Sequence, residues 1–252
     1  LSEQRCSKTG LWILDDFRSG RRVATTDHQA LDPRERLSGD DPAGWSRYDT
    51  PGSTVYISDT DEIAFAEVLA GYALKLGTKH PMQKDADFMG MSLDDYIKGI
   101  DDDWGNNVKR GCLARHWRDR RRAYHLTLNG AGWWVDVEHP DSIAAISAGI
   151  GAKLNAEFDI PQLTLGILHG ENRAATTMIA TWIREQVLED GSRPLGIHFA
   201  SKHGGGYCWA YWLRRRDDGL DGDDMTSDSG TEIRDNDPAL LTVTKRFGIK
   251  VW

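Results

Sequence analysis

The sequence lacks the features that announce the commonest kinds of site. Its cysteines are only three, Cys6, Cys112 and Cys208, scattered along 252 residues. No CxxC pair and no Cys/His ligand spacing occurs. That argues against structural zinc and a disulfide framework, and a reduced, cytoplasmic protein is the expectation. No apolar run approaches the ~18 residues of a membrane span, and no secretory leader pattern opens the chain, so no membrane association is expected. A basic excess is absent too. The net charge is −8, which argues against a nucleic-acid footprint but leaves room for a small anionic substrate held by a few local Arg and Lys residues. There is no GxSxG elbow, so the HGGG stretch at His203–Gly206 is not expected to serve a hydrolase nucleophile. No internal repeat, dinucleotide fingerprint or low-complexity tract is found. The acidic stretches Asp101–Asp103 and Asp217–Asp224 are expected to be solvated loops.

What is present suits a core-forming domain: 39% apolar residues and ten tryptophans. Residues 1–43 read as polar and loop-rich, with one apolar patch, GLWIL. STVYIS (53–58) reads as a short strand with Thr54, Tyr56 and Ser58 on one face and Val55 and Ile57 on the other. Asp59 and Glu62 read as a capping box for a helix that runs to about Leu76 and stops at Gly77. Ala175, Met178, Ile179, Trp182, Ile183 and Val187 form a helical stripe. Residues 195–213 read as a hairpin whose second strand is apolar on both faces and therefore central. Asp237–Pro238 opens a helix that ends near Phe247 at Gly248. Between them, AYHLTLNG and GWWVDVE read as strands and SIAAISAGIGAKL as a helix. Helices and hairpins mix without βαβ alternation, which predicts an α+β fold in a single domain.

One residue raises a question. Glu67 lies among Ile63, Phe65, Ala66, Val68 and Leu69, where a buried carboxylate is costly without a partner. It is either a half-exposed acid in a surface ion pair or an acid presented to a cleft. A basic run, Arg118–Arg122, is read as a solvated face.

Two segments together carry a resemblance. RYDTPG…VYISDTDEIAFAEVLA resembles the Arg-loop, Tyr-strand, Glu-helix block of RES-domain proteins. ENRAATTMIATWI followed by LGIHFASKHGGGYCWAYW is similar to that family's C-terminal block. The likeness covers residues 44–77 and 170–213, in the family's order. It implies an ADP-ribosyltransferase-like split β-sheet with flanking helices, holding NAD in a cleft. It also implies a toxin that destroys NAD by hydrolysis or phosphorolysis, with a possible cognate antitoxin protein as partner. NAD is then the substrate, and no cofactor or metal is required. By the family motif the functional positions are Arg47, Tyr56, Glu67 and Ser201. Arg47 would grip pyrophosphate, Tyr56 would stack on nicotinamide or pack beside Glu67, Glu67 would stabilise the oxocarbenium-like ribose, and Ser201 would orient Glu67 or a ribose. Lys202 and His203 are supplementary contacts, and Arg5 is the candidate for the family's N-terminal Arg. Lys202 departs from the family's Arg, replacing a bidentate fork by a point charge. Residues 78–160 are expected to be a family-variable insertion, and 214–252 an acidic loop with a closing helix and strand. The rival expectations are transfer of ADP-ribose to a macromolecule and a non-catalytic NAD-binding module.

Overall fold

The N-terminal stretch expected to be loop contains three strands: β1 (Glu3–Arg5), β2 (Trp12–Leu14) and β3 (Ser19–Thr25). Two of them span three residues, too few to show a period, yet Leu11 and Ile13 of the GLWIL patch are fully buried. The computed structural model describes residues 2–104, 111–220 and 222–251. Further along the chain lie β4 (Thr54–Ser58), β5 (Cys112–Leu113), β6 (Arg121–Leu128) and β7 (Trp134–Asp136). The remaining strands are β8 (Gly196–Ala200), β9 (Tyr207–Trp212), β10 (Met225–Ser227), β11 (Thr231–Glu232) and β12 (Lys250–Val251). The helices are α1 (Asp61–Leu69), α2 (Gln83–Phe88), α3 (Leu93–Trp104), α4 (Arg115–Asp119), α5 (Pro140–Phe158), α6 (Leu165–Leu168), α7 (Arg173–Glu185), α8 (Arg214–Asp217) and α9 (Pro238–Phe247). This is an α+β single domain.

The main sheet runs β1-β2-β7-β8-β9-β4-β3-β6-β10, with β11 also on β6. Its seam is uneven. The β4–β9 ladder registers along the whole of β4, and β3–β6 along the whole of β3, but β3 meets β4 through a single pair, Arg21 with Ser58. Beyond that pair the strands splay, and the sheet is split there. On one face of the β7–β8–β9 half, α5 and α7 bury Ile146, Ile179 and Ile183 against Val135, Ile197 and Ala210. The other face curls over a second cluster holding Phe17, Trp134, Trp209 and Tyr211. Over the β3–β6 half, α1 and α9 pack Phe65, Leu69, Leu240 and Val243. Each fully buried aliphatic of this kind is worth roughly 1.5–3 kcal/mol.

Several expectations meet the structure directly. The hairpin β8–β9 forms, and β9 lies between β8 and β4. Ala175, Ile179 and Ile183 of the stripe are buried on α7, while Val187 lies beyond the helix end; the structure adds Asn172 as the helix cap. Asp237 caps α9, which closes at Gly248 in the left-handed region. Other expectations need correction. Thr60, not Asp59, caps α1, its hydroxyl accepting from Ile63 N at 3.2 Å. Asp59 instead accepts from Tyr207 N at 3.1 Å and ties the helix start to β9. α1 ends at Leu69, not Leu76, because tertiary pairing takes over the backbone: Tyr72 O accepts from Gly111 N and Leu74 N donates to Phe247 O. Asp101–Asp103 lie within α3 rather than in a loop. Asp217 is largely withdrawn from solvent in an ion pair with Arg184, and Asp221 of the same stretch lies outside the described residues. Arg118 of the basic run is buried as well. Residues 78–160 are not one appendage. α2 and α3 pack a small cluster of their own around Met82 and Ile97, but β6, β7 and α5 are integral to the main sheet and its cover. No helix among the described residues is long and apolar enough to cross a membrane.

Candidate functional site

The site occupies the split. Beyond the Arg21–Ser58 pair, the Tyr56 carbonyl of β4 faces β3 with no backbone partner there. The Arg22 guanidinium fills the place, donating Nη1–H to Tyr56 O at 2.9 Å. Its Nε is buried without a hydrogen-bond partner. Burial pushes the Arg22 pKa down to about 10, which still leaves it charged at neutral pH.

Arg47 comes from the loop before β4. Buried Asp49 shapes that loop by accepting from Ser46 N and from Arg36 Nε, both at 2.9 Å. Tyr56 then anchors it, its hydroxyl accepting from Tyr48 N at 2.9 Å. Burial and the adjacent Asp49 carboxylate push the Tyr56 phenol pKa well up, so it stays protonated. The Arg47 guanidinium lies 5.0 Å from the Phe199 ring centre and 5.3 Å from that of Tyr48. Arg47 is only 6% exposed, and its Nη1 has no hydrogen-bond partner. A buried guanidinium with an unused N–H costs stability unless a ligand completes it.

Glu67 is on the opposite wall. In α1 it shares a face with Ile63, one turn earlier, and that face meets the turn after β8. A Cβ at Gly204 would overlap the Ile63 side chain, so the glycine-rich turn serves close packing on α1. Ser201 opens this turn, 7% exposed. Its Oγ accepts from His203 N (3.2 Å) and Gly204 N (3.1 Å) and donates to Glu67 Oε1 at 2.6 Å. The hydroxyl is fully used and fixes the carboxylate. Among the described residues, no group donates to the other Glu67 oxygen.

The two walls enclose a cavity of about 420 Å³ lined by Arg22, Arg47, Tyr56, Glu67, Arg173, Phe199, Lys202, His203 and Cys208, among others. That size falls in the range of small-ligand sites. Burial lowers the His203 pKa, so its imidazole is neutral at pH 7. Cys208 on the floor is pushed up to about 12, first by burial and then by Glu67, so it is a thiol rather than a nucleophilic thiolate. Lys202 Nζ donates to His169 O at 3.3 Å and pairs with Glu171. Arg173, at the start of α7, pairs with the same carboxylate at 2.6 Å. Four cations therefore face one lining carboxylate, in a chain that is acidic as a whole.

The structure brings Arg47, Tyr56, Glu67, Lys202 and His203 to one cavity, with Ser201 directly behind Glu67. Arg5 is not with them. It sits on β1 at the sheet edge and pairs with Asp141 at 3.7 Å. The cleft's N-terminal arginine is Arg22. Nor does the Tyr56 hydroxyl reach Glu67, because it is committed to the Arg47 loop. Arg173 and Phe199 also line the cavity; both lie in the segments that carry the resemblance, Arg173 immediately after a helix cap, but no residue-level signal marks them as site residues. Among the described residues no three His, Cys, Asp or Glu side chains converge as metal ligands.

No protein-family model matches the chain, and no curated protein matches it in sequence. Among solved structures it is similar to a chain in the crystal structure of the M. tuberculosis MbcT–MbcA toxin–antitoxin complex, with a TM-score of 0.43 and 9% identity, covering 94% of this chain and 91% of that one.

Proposed function

We propose that the cleft binds NAD and that the protein cleaves its nicotinamide–ribose bond, as the RES-type resemblance implies. One observation carries the reading: a carboxylate, Glu67, locked by Ser201 at 2.6 Å and with one oxygen unused, faces the guanidinium groups of Arg22 and Arg47 across a single cavity. NAD combines an anionic pyrophosphate with a ribose that becomes cationic at C1′ as nicotinamide leaves. The cations answer the first need and the carboxylate the second. In the reaction the C1′–N bond breaks and its electron pair neutralises the pyridinium nitrogen. Glu67 holds a ribose hydroxyl and stabilises the developing oxocarbenium charge. An oxygen of water or of phosphate then bonds to C1′, with any proton it sheds passing to solvent. Ser201 acts through Glu67, because its only proton is already donated to that carboxylate. Phe199 and Tyr56 supply the apolar wall.

Loss of intracellular NAD is toxic, so the proposal extends to a toxin whose producer needs a protein antitoxin that occludes this cleft. The test is incubation with NAD, with and without phosphate, and identification of the products. Free nicotinamide with ADP-ribose or its 1-phosphate is expected. Label retained on protein or nucleic acid would instead assign a transferase, and NAD bound but intact would reduce the site to a binding module.

A further inference from the structure

Two cations of the cleft are bridged by an anion of the protein's own. Glu171, in the short loop between α6 and α7, places one carboxylate oxygen on Lys202 Nζ and the other on Arg173 Nη2, the latter at 2.6 Å. The two cations are mostly buried, their side chains 23% and 21% exposed, whereas the Glu171 side chain is 73% exposed. Such an arrangement is asymmetric. Half-buried cations gain from a counter-anion, but an exposed carboxylate is weakly held and easily replaced. Both cations also line the cavity that holds Arg47 and Glu67, so the charges Glu171 neutralises are shared with the ligand space. A carboxylate offers two oxygens to two cations, and a phosphate group can offer the same pair with more charge.

We propose that Glu171 is a built-in competitor for an outer phosphate subsite formed by Lys202 and Arg173. Its carboxylate satisfies both cations in the free protein and is displaced by a phosphate group of the incoming ligand. This rests on the reading of the cleft as a site for a phosphate-bearing ligand. Two consequences follow for recognition. Neutral or singly charged molecules gain nothing by displacing Glu171, so the competitor discriminates against them. And Lys202, where the resembling family has arginine, lets go of Glu171 more readily, because a point charge lacks the planar two-pronged grip.

The experiment measures binding of inorganic pyrophosphate at low ionic strength by calorimetry to the wild type, to Glu171→Gln and to the double variant Glu171→Gln/Lys202→Met. Glu171→Gln keeps the side chain's shape and removes its charge. The expected result is binding about three- to tenfold tighter than wild type, with the gain lost in the double variant. A merely structural Glu171 would weaken binding when removed, so the sign of the effect is diagnostic. Unchanged, weaker or undetectable pyrophosphate binding in a Glu171→Gln protein that melts like wild type overturns the proposal. A protein that never releases nicotinamide from NAD but shows the predicted tightening would sink the reaction and keep the competitor, so the two failures are distinguishable.

Discussion

The two walls of the cleft are built on opposite principles. On the Glu67 wall the carboxylate is fixed from inside the protein through one oxygen, and its other oxygen is left open. Ser201 accepts from two backbone amides and donates to the carboxylate, and the turn behind it is glycine-packed against Ile63. On the arginine wall, demands are left open: Arg22 Nε and Arg47 Nη1 are buried without partners, although the loop beneath them is tightly held by Asp49 and Tyr56. The contrast teaches where the missing interactions go. On the proposed reading, the group that acts on a developing charge is preorganised in advance, whereas Arg22 and Arg47 keep open donors for an anion.

The largest expected effect comes from removing the support under the arginine wall. Arg184 holds Thr50 Oγ at 2.7 Å, the Pro51 carbonyl and Asp217, and Asp217 in turn accepts from Ser53 N. Gly52 sits between them at φ +102°, where a Cβ would strike Asp217. Arg184→Met leaves the largely enclosed Asp217 carboxylate without its cation, which should cost about 3–5 kcal/mol of stability in urea unfolding. A loss below about 1 kcal/mol would show that the pin is dispensable.

Next, Arg47→Ala should weaken NAD binding by about 1.5–3 kcal/mol, the range for a charge-assisted contact. Unchanged affinity in a folded variant would transfer the anion grip to Arg22 or Arg173. Ser201→Ala unlocks Glu67 without removing it. Nicotinamide release should fall about tenfold, or about 1.4 kcal/mol, with NAD affinity little changed; a loss in affinity alone would contradict the split between the walls. The smallest effect concerns His203. Its folded pKa lies below the ordinary imidazole value because of burial, so the unfolded chain takes up the proton first. Its contribution to stability is therefore present above the unfolded pKa and is lost as pH falls through the folded one. His203→Gln should flatten stability against pH just below the ordinary imidazole range; an unaltered slope would show that another group titrates there.

Much of this arrangement was legible in the sequence where a local signal coincided with the global one. The cap Asp237, the hairpin of β8 and β9, and the anomalous acid in an apolar helix all have short-range causes. The pairing of Glu67 with Ser201 spans 134 positions and came into view only through the resemblance of two blocks. What stayed hidden depends on register. Arg22 and Arg5 both lie in short strands near other polar residues, and only the splaying of β3 from β4 after Arg21 decides that Arg22 enters the cleft. The end of α1 was misplaced because Leu74 and Tyr72 trade helical hydrogen bonds for partners at Phe247 and Gly111, which no local window contains. The Glu171 bridge was hidden for a similar reason: its two cations lie 31 and two residues away.

The most direct test of the division between walls is one paired measurement on Glu67→Gln, reading NAD affinity by calorimetry and nicotinamide release by proton NMR in the same samples. The substitution keeps the shape and the hydrogen bond to Ser201 while removing the charge. NAD affinity should stay within about threefold of wild type, since the lost interaction grows mainly in the transition state. Release should fall by about 10²–10³, or about 3–4 kcal/mol. Release near the wild-type rate would contradict the division between walls and leave Glu67 a structural acid held by Ser201.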